Sequence, residues 1–339
     1  MNSSVDTVPD EVLAYITRRA SGGELWLLRL HSASGLHPVL FGVVCGIIAF
    51  GVVASPLLGS SSHSQDLLSS AAFFAISLTI IAAATPHMFR GAAEDFAALS
   101  PMFDMTPEET ARFQRALVSM PNQQLWWLTV TGVCIGLAHA WILGALTTDI
   151  AGLTQAFATL SIWVTMMWTV PALIGNAFTF SDLGAMAKPN LLLPASITPF
   201  GMAAVRPIIF IVGMLSAYSI LLSTAPLGPS LIGFLACMGS AFGLFFIPLR
   251  GIRKTIREEK QKAITALDHQ IAECQDLTSM DKNELSSLDA LLALRDRINA
   301  VSAWPLGLAG VKRVMIYVVI PPLTWSAAAI VEMLISQQF

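Results

Sequence analysis

The chain has few charged residues for its length. Charged residues make up 12% of the 339 residues, about half the share of an ordinary soluble domain, whereas hydrophobic residues make up 55%. So few charges do not cover the surface of a compact water-soluble protein, and the hydrophobic residues fall into runs of about 20, the length that crosses a bilayer. The composition excludes a soluble enzyme, a disordered chain and a disulfide-rich secreted scaffold. It predicts an all-α, polytopic integral membrane protein.

Cysteine and catalytic motifs are also scarce. The chain has four cysteines and no C-x-x-C pair, so neither a zinc site nor a redox motif is indicated. It contains no H-E-x-x-H motif and no G-x-S-x-G nucleophile elbow, and its apolar runs hold no paired carboxylates. We therefore expect no metal, no cofactor and no enzymatic activity.

Seven apolar runs predict about seven transmembrane helices, at residues 38–59, 67–88, 125–147, 153–178, 206–225, 229–249 and 313–335. The connections between them alternate in length: three are short (60–66, 148–152 and 226–228) and three are long (89–124, 179–205 and 250–312). We expect three helical hairpins, each closed on the outer side of the membrane, followed by a final helix.

Lysine and arginine are confined to one side of these predicted spans. All 19 lie in the N-terminal segment, in the three long connections or at their edges. Because cytoplasmic loops carry an excess of basic residues, the N-terminus and the long connections are predicted to be cytoplasmic and the C-terminus outside, in a plasma (bacterial inner) membrane. The predicted organisation is a cytoplasmic N-terminal segment (1–37), a six-helix transmembrane region (38–249), a cytoplasmic helical hairpin (250–312) and a final transmembrane helix with a short outer tail (313–339).

The hairpin prediction comes from two apolar stripes at helical spacing. Ile256, Ile264, Leu267 and Ile271 form the first stripe, a polar stretch follows, and a second stripe begins at Leu285. Two such stripes joined by a short polar turn indicate an antiparallel, coiled-coil-like helical pair. The sequence leaves open whether the two helices pair within one chain or between chains.

A further helix is predicted in the first long connection. Thr106 suits the N-cap, Pro107 the first helical position and Glu109 the third, so a helix should begin there. An apolar stripe follows at Phe113, Ala116, Leu117 and Met120. This helix lies along the inner membrane surface or packs against another cytoplasmic element.

Basic residues are dense immediately after the sixth predicted span. Residues 250–262 hold six basic and two acidic residues, and Arg250, Arg253, Lys254 and Arg257 come first. We expect these four to contact anionic lipid headgroups at the cytoplasmic face. A nucleotide phosphate site is the less favoured interpretation, because no glycine-rich loop accompanies these basic residues.

Three predicted spans contain paired glycines four residues apart, a spacing that lets helix backbones approach closely. We predict helix packing at Gly42, Gly46, Gly132, Gly136, Gly239 and Gly243. The sequence does not tell whether these contacts form within the chain or between subunits.

Polar residues within the predicted spans are few, and five of them form a candidate polar path: His139, Ser161, Thr165, Thr169 and Asn176. The three hydroxyl residues recur every four positions and so share one helix face. Such a stripe can line a water-filled path. The alternative is that the hydroxyls bond back to their own helix and that His139 is a hydrogen-bonded structural residue.

Two functions fit these features. The first is a homo-oligomeric ion channel or small-solute conduit, supported by the polar stripe and by an acidic outer face at Asp66, Asp149 and Glu332. The second is a non-transporting membrane scaffold or regulator whose hairpin docks a cytoplasmic protein, supported by the scarcity of charge within the spans. A nucleic-acid partner is not expected, because the predicted cytoplasmic face carries 19 acidic residues against its 19 basic ones.

Overall fold

The structure, a computed structural model, describes residues 10–58, 64–103, 105–222, 227–273 and 282–305. In this part of the chain the all-α prediction is confirmed. Two two-residue strands pair antiparallel, Gly23 with Met120 and Glu24 with Ser119. The helices and strands in chain order are α1 (Asp10–Ala20), β1 (Gly23–Glu24), α2 (Trp26–Ser34), α3 (Pro38–Ala54), α4 (Ser64–Leu99), α5 (Pro107–Val118), β2 (Ser119–Met120), α6 (Asn122–Ile142), α7 (Ile150–Met186), α8 (Thr198–Leu222), α9 (Leu227–Glu273) and α10 (Lys282–Asn299).

Within the described residues, five helical stretches are long and apolar enough to cross a membrane: Pro38–Leu57, Leu67–Met102, Asn122–Ile142, Ile150–Met186 and Pro194–Ala217. They support a membrane-embedded, multi-pass protein. The count of seven spans stays a prediction. The seventh span (313–335) lies outside the described residues, as do Glu332 and the polar turn of the hairpin.

Several helices continue well past the predicted membrane boundaries. Helix α4 has 36 residues, α7 has 37 and α9 has 47. At about 1.5 Å per residue α9 is about 70 Å long, more than twice the ~30 Å of a hydrocarbon core. The predicted connections 89–124 and 179–205 therefore begin as continuations of α4 and α7. Likewise, no break separates the sixth predicted span from the first helix of the predicted hairpin.

These extensions meet in a hydrophobic core at one end of the molecule. We call this end, which carries Arg19, Arg206 and Arg253, the basic end. Its core contains fully buried aromatic side chains from α4, α5, α7, α8 and α9: Phe96, Phe113, Phe180, Phe200 and Phe245. Burial of such rings stabilises helical extensions that hydropathy alone does not identify.

Helix α5 begins as its sequence predicts. Thr106 is the N-cap, its hydroxyl accepts from the Glu109 amide at 3.2 Å, and the Glu109 carboxylate accepts from the Thr106 amide at 2.7 Å. Pro107 occupies the first turn. The predicted apolar stripe of Phe113, Ala116 and Leu117 is fully buried against α1 and α4, so α5 packs on other elements of the basic end.

Helices α9 and α10 lie antiparallel within one chain. Arg295 of α10 pairs with Asp268 of α9 at 2.6 Å, and Lys260, two turns earlier on α9, donates to the carbonyl of Val301 at 3.2 Å. Ile298 of α10 and Leu267 of α9 are buried along this contact. The pairing that the sequence left open is therefore intramolecular.

Candidate functional site

Two of the three hydroxyl residues of the candidate polar path form hydrogen bonds within helix α7. Ser161 donates to the Phe157 carbonyl at 2.8 Å, and Thr165 donates to the Ser161 carbonyl at 2.6 Å. Thr165 and Thr169 are both buried. A hydroxyl that bonds to the carbonyl one turn earlier is satisfied without water. This geometry matches the alternative in which the stripe has a structural role.

His139 holds α6 to α7 through a tryptophan. The indole Nε1 of Trp163 donates to His139 Nδ1 at 2.9 Å, and the two rings meet edge to face with centroids 5.8 Å apart. An imidazole nitrogen that accepts this bond carries no proton. Trp168 makes a second indole bond between the same helices, to the Thr129 hydroxyl at 2.9 Å. Sequence reasoning missed both tryptophans, although each carries an N–H that a membrane-embedded helix must satisfy.

Asn176, seven residues after Thr169 on α7, contacts a buried arginine. Its side-chain oxygen accepts from the Arg19 guanidinium at 2.9 Å, and its amide nitrogen donates to the Leu117 carbonyl at 3.0 Å. The Ser119 hydroxyl donates to the Arg19 carbonyl at 2.8 Å. Arg19 is only 5% exposed, and burial lowers the pKa of its guanidinium from the ordinary value, while Tyr15 raises it. These groups fasten α1 and α5 to α7 at the basic end.

A second buried arginine joins α4 to α8. Arg206 Nε lies 2.9 Å from one Asp95 carboxylate oxygen, and its terminal nitrogen lies 3.1 Å from the other. The two side chains are 14% and 9% exposed. Both residues lie on the core of the basic end, and the sequence had identified Arg206 only as a marker of orientation.

Two of the three glycine pairs lie at tight helix contacts within the chain. A Cβ added at Gly42 would lie 2.6 Å from the Thr79 carbonyl of α4, and one at Gly132 would lie 2.9 Å from Val164 of α7. Gly46 and Gly136 face the same two helices. In contrast, Gly239 and Gly243 meet no neighbouring helix among the residues that the structure describes.

The four basic residues after the sixth predicted span line a single cavity. This cavity, which we call the basic groove, has a volume of about 560 Å³ and is lined by Phe246, Ile247, Leu249, Arg250, Arg253, Lys254, Arg257, Glu258 and Trp304. The guanidinium of Arg253 lies over the ring of Trp304, 4.4 Å from its centroid. The groove therefore combines an apolar wall with a basic rim.

The side of α10 that faces solvent carries exposed leucines. Leu285 and Leu292 are 56% and 42% exposed, although leucine usually packs inside a helical pair. Asp289 and Asp296 are also exposed, and these four residues recur at steps of four, three and four. At about 3.6 residues per turn they lie on one stripe, which we call the hairpin face.

Within the described residues no group of three or more His, Cys, Asp or Glu side chains is placed to hold a metal ion. Comparisons with protein-family models, with curated proteins and with solved structures found no match for this chain. The basic groove and the hairpin face are the two surface features that bear on function.

Proposed function

We propose that this chain is a non-transporting membrane scaffold or regulator, and that the hairpin face binds a partner protein on the cytoplasmic side. The observation that carries this proposal is the exposure of Leu285 and Leu292 on one stripe of α10. Leucines at i and i+7 on a helix surface are the anchors that a second amphipathic helix uses.

The hairpin suits docking because it is rigidly joined to the apolar helices. Helix α9 runs without interruption from Leu227 to Glu273, and α10 is fixed to it through the Arg295–Asp268 pair and the Lys260 bond. A partner bound on α10 is therefore held at a set position relative to the membrane. Such fixed placement is what a scaffold supplies.

The chemistry of the face indicates the class of partner. Asp289 and Asp296 alternate with the two leucines, so the stripe is apolar and acidic. A helix with apolar anchors and flanking lysine or arginine is complementary to it in both hydrophobicity and charge. We therefore expect a partner segment that is a basic amphipathic helix.

Co-purification of full-length variants tests the proposal. Leu285→Gln with Leu292→Gln changes the face, and Ser286→Gln with Ala290→Gln places the same side chain at exposed positions outside it. We expect the first pair to lower recovery of the partner at least about tenfold and the control pair to leave it unchanged. Equal recovery from both pairs, or equal loss, contradicts docking through this face.

The channel or small-solute conduit has weaker support. Its candidate path depended on free hydroxyls in α7 and on His139, yet Ser161 and Thr165 bond back to their own helix and His139 accepts from Trp163. Those groups are satisfied without a water-filled path. No described contact favours conduction over docking.

A further inference from the structure

We infer that the basic groove binds one anionic phospholipid, with the headgroup phosphate among Arg250, Arg253 and Arg257 and an acyl chain along Phe246. This inference is independent of the hairpin face. It goes beyond general attraction to the membrane surface, because it places one lipid in one cavity.

Along α9, the aromatic and the basic residues of the groove follow one another on a single helix stripe. Phe242, Phe246, Arg250, Arg253 and Arg257 recur at steps of four, four, three and four residues and therefore share one helix stripe. Phe242 and Phe246 are 45% and 41% exposed and stack with their rings nearly parallel. The aromatic part lies toward the apolar half of α9 and the arginines toward its polar half. A phospholipid has the same order, from acyl chain to phosphate.

The charge of the groove fits a phosphate and is not neutralised by neighbours. Arg250 and Arg257 form no ion pair with any residue among those described, and Lys254 approaches Glu258 only at 3.8 Å, with both side chains exposed. Guanidinium groups present paired N–H donors that match phosphate oxygens. One acidic residue, Glu258, stands against four basic ones in the lining.

Trp304 closes the groove on the side opposite to α9. It follows the last turn of α10, stacks on Arg253 and meets Phe246 edge to face at 6.0 Å. An indole with one apolar face and one N–H suits the boundary between headgroup and acyl chain. A lipid in the groove would contact both α9 and the segment after α10, and would stabilise their association.

Lipid titration of the full-length protein in detergent, read by native mass spectrometry, tests the inference. Wild-type protein should bind one phosphatidylglycerol in preference to phosphatidylcholine. The triple variant Arg250→Gln, Arg253→Gln, Arg257→Gln should bind it at least about tenfold more weakly. The control triple Arg112→Gln, Lys262→Gln, Arg297→Gln removes the same charge from exposed positions away from the groove, and should bind it like the wild type.

Two further measurements distinguish a bound phospholipid from free inorganic phosphate and do not depend on the arginine variants. Brominated phosphatidylglycerol should quench the emission of the wild type more than that of Trp304→Phe, a variant that keeps all the arginines of the groove. Inorganic phosphate at millimolar concentration should leave lipid binding unchanged. Equal lipid binding by both triple variants, quenching that does not depend on Trp304, or displacement by inorganic phosphate would overturn the assignment of a phospholipid.

Discussion

The buried pair between Asp95 and Arg206 yields the sharpest prediction for stability. The two oxygens of Asp95 accept from two nitrogens of Arg206 at 2.9 and 3.1 Å, and both side chains are at least 86% buried. Asp95→Asn leaves a charged guanidinium in the core with no anion, and removal of one partner of a buried pair typically costs about 3–5 kcal/mol. We expect Asp95→Asn to lower the free energy of unfolding by about 3 kcal/mol.

The exposed pair between Glu108 and Arg112 is the matched control. Its atoms are 2.7 Å apart, closer than those of the buried pair, yet the side chains of Arg112 and Glu108 are 46% and 75% exposed. Exposed pairs contribute about 0–1 kcal/mol because water screens them, so Glu108→Gln should lower the free energy of unfolding by less than about 1 kcal/mol. Burial, and not distance, sets the difference.

Reversible unfolding in mixed detergent micelles measures these effects. The double variant Asp95→Leu, Arg206→Met replaces both charges by apolar groups and should recover much of the stability lost by Asp95→Asn, because no unpaired charge stays buried. The reasoning is refuted if Asp95→Asn is no more destabilising than Glu108→Gln. It is also refuted if the double variant is less stable than Asp95→Asn alone.

Three further predictions concern packing, the Arg19 contacts and pH. Gly42→Ala should destabilise the protein by about 1–3 kcal/mol in the same unfolding assay, since its Cβ meets α4, whereas Gly51→Ala, with open space around it, should be neutral or slightly stabilising. Asn176→Leu should cost about 1–3 kcal/mol by removing an acceptor from buried Arg19 and a donor to the Leu117 carbonyl, and Asn176→Asp, which keeps only the acceptor, should restore part of that loss. The hydrogen bonds from Thr106 lower the pKa of Glu109 below its ordinary value of 4.5. The ionised carboxylate therefore stabilises the start of α5 above pH 4.5, and this stabilisation is lost as the pH falls through the lowered pKa. Glu109→Gln should flatten the loss of helicity on the acid side, measured as a function of pH.

Local signals in the sequence predicted local structure well. The Thr106-Pro107 start of α5 depends on contacts within one turn, and the structure confirms it. In contrast, hydropathy falls after residue 88 and after residue 178, so the continuations of α4 and α7 were not expected. Those turns persist because Phe96 and Phe180 are buried against other helices, an effect that no single stretch of sequence encodes.

The contacts that the sequence did not predict join distant residues. Asp95 and Arg206 are 111 positions apart, and Arg19 and Asn176 are 157 apart. In the sequence, an arginine near an apolar run indicates only which end of a span is cytoplasmic. Its burial follows from the packing of whole helices. The four arginine and lysine residues after the sixth span were predicted as one surface, yet the wall that turns them into a groove includes Trp304, from a separate element.

Site-specific photo-crosslinking in intact cells tests the central claim most directly. A photoreactive amino acid would be placed at position 285 or 292 on the hairpin face, or at position 290 outside it, in the full-length protein. The account predicts one crosslinked protein from 285 and 292 and none from 290, with a basic amphipathic segment at the crosslinked site. Crosslinking only to a second copy of this chain, or equally from all three positions, would contradict docking of a partner on the hairpin face.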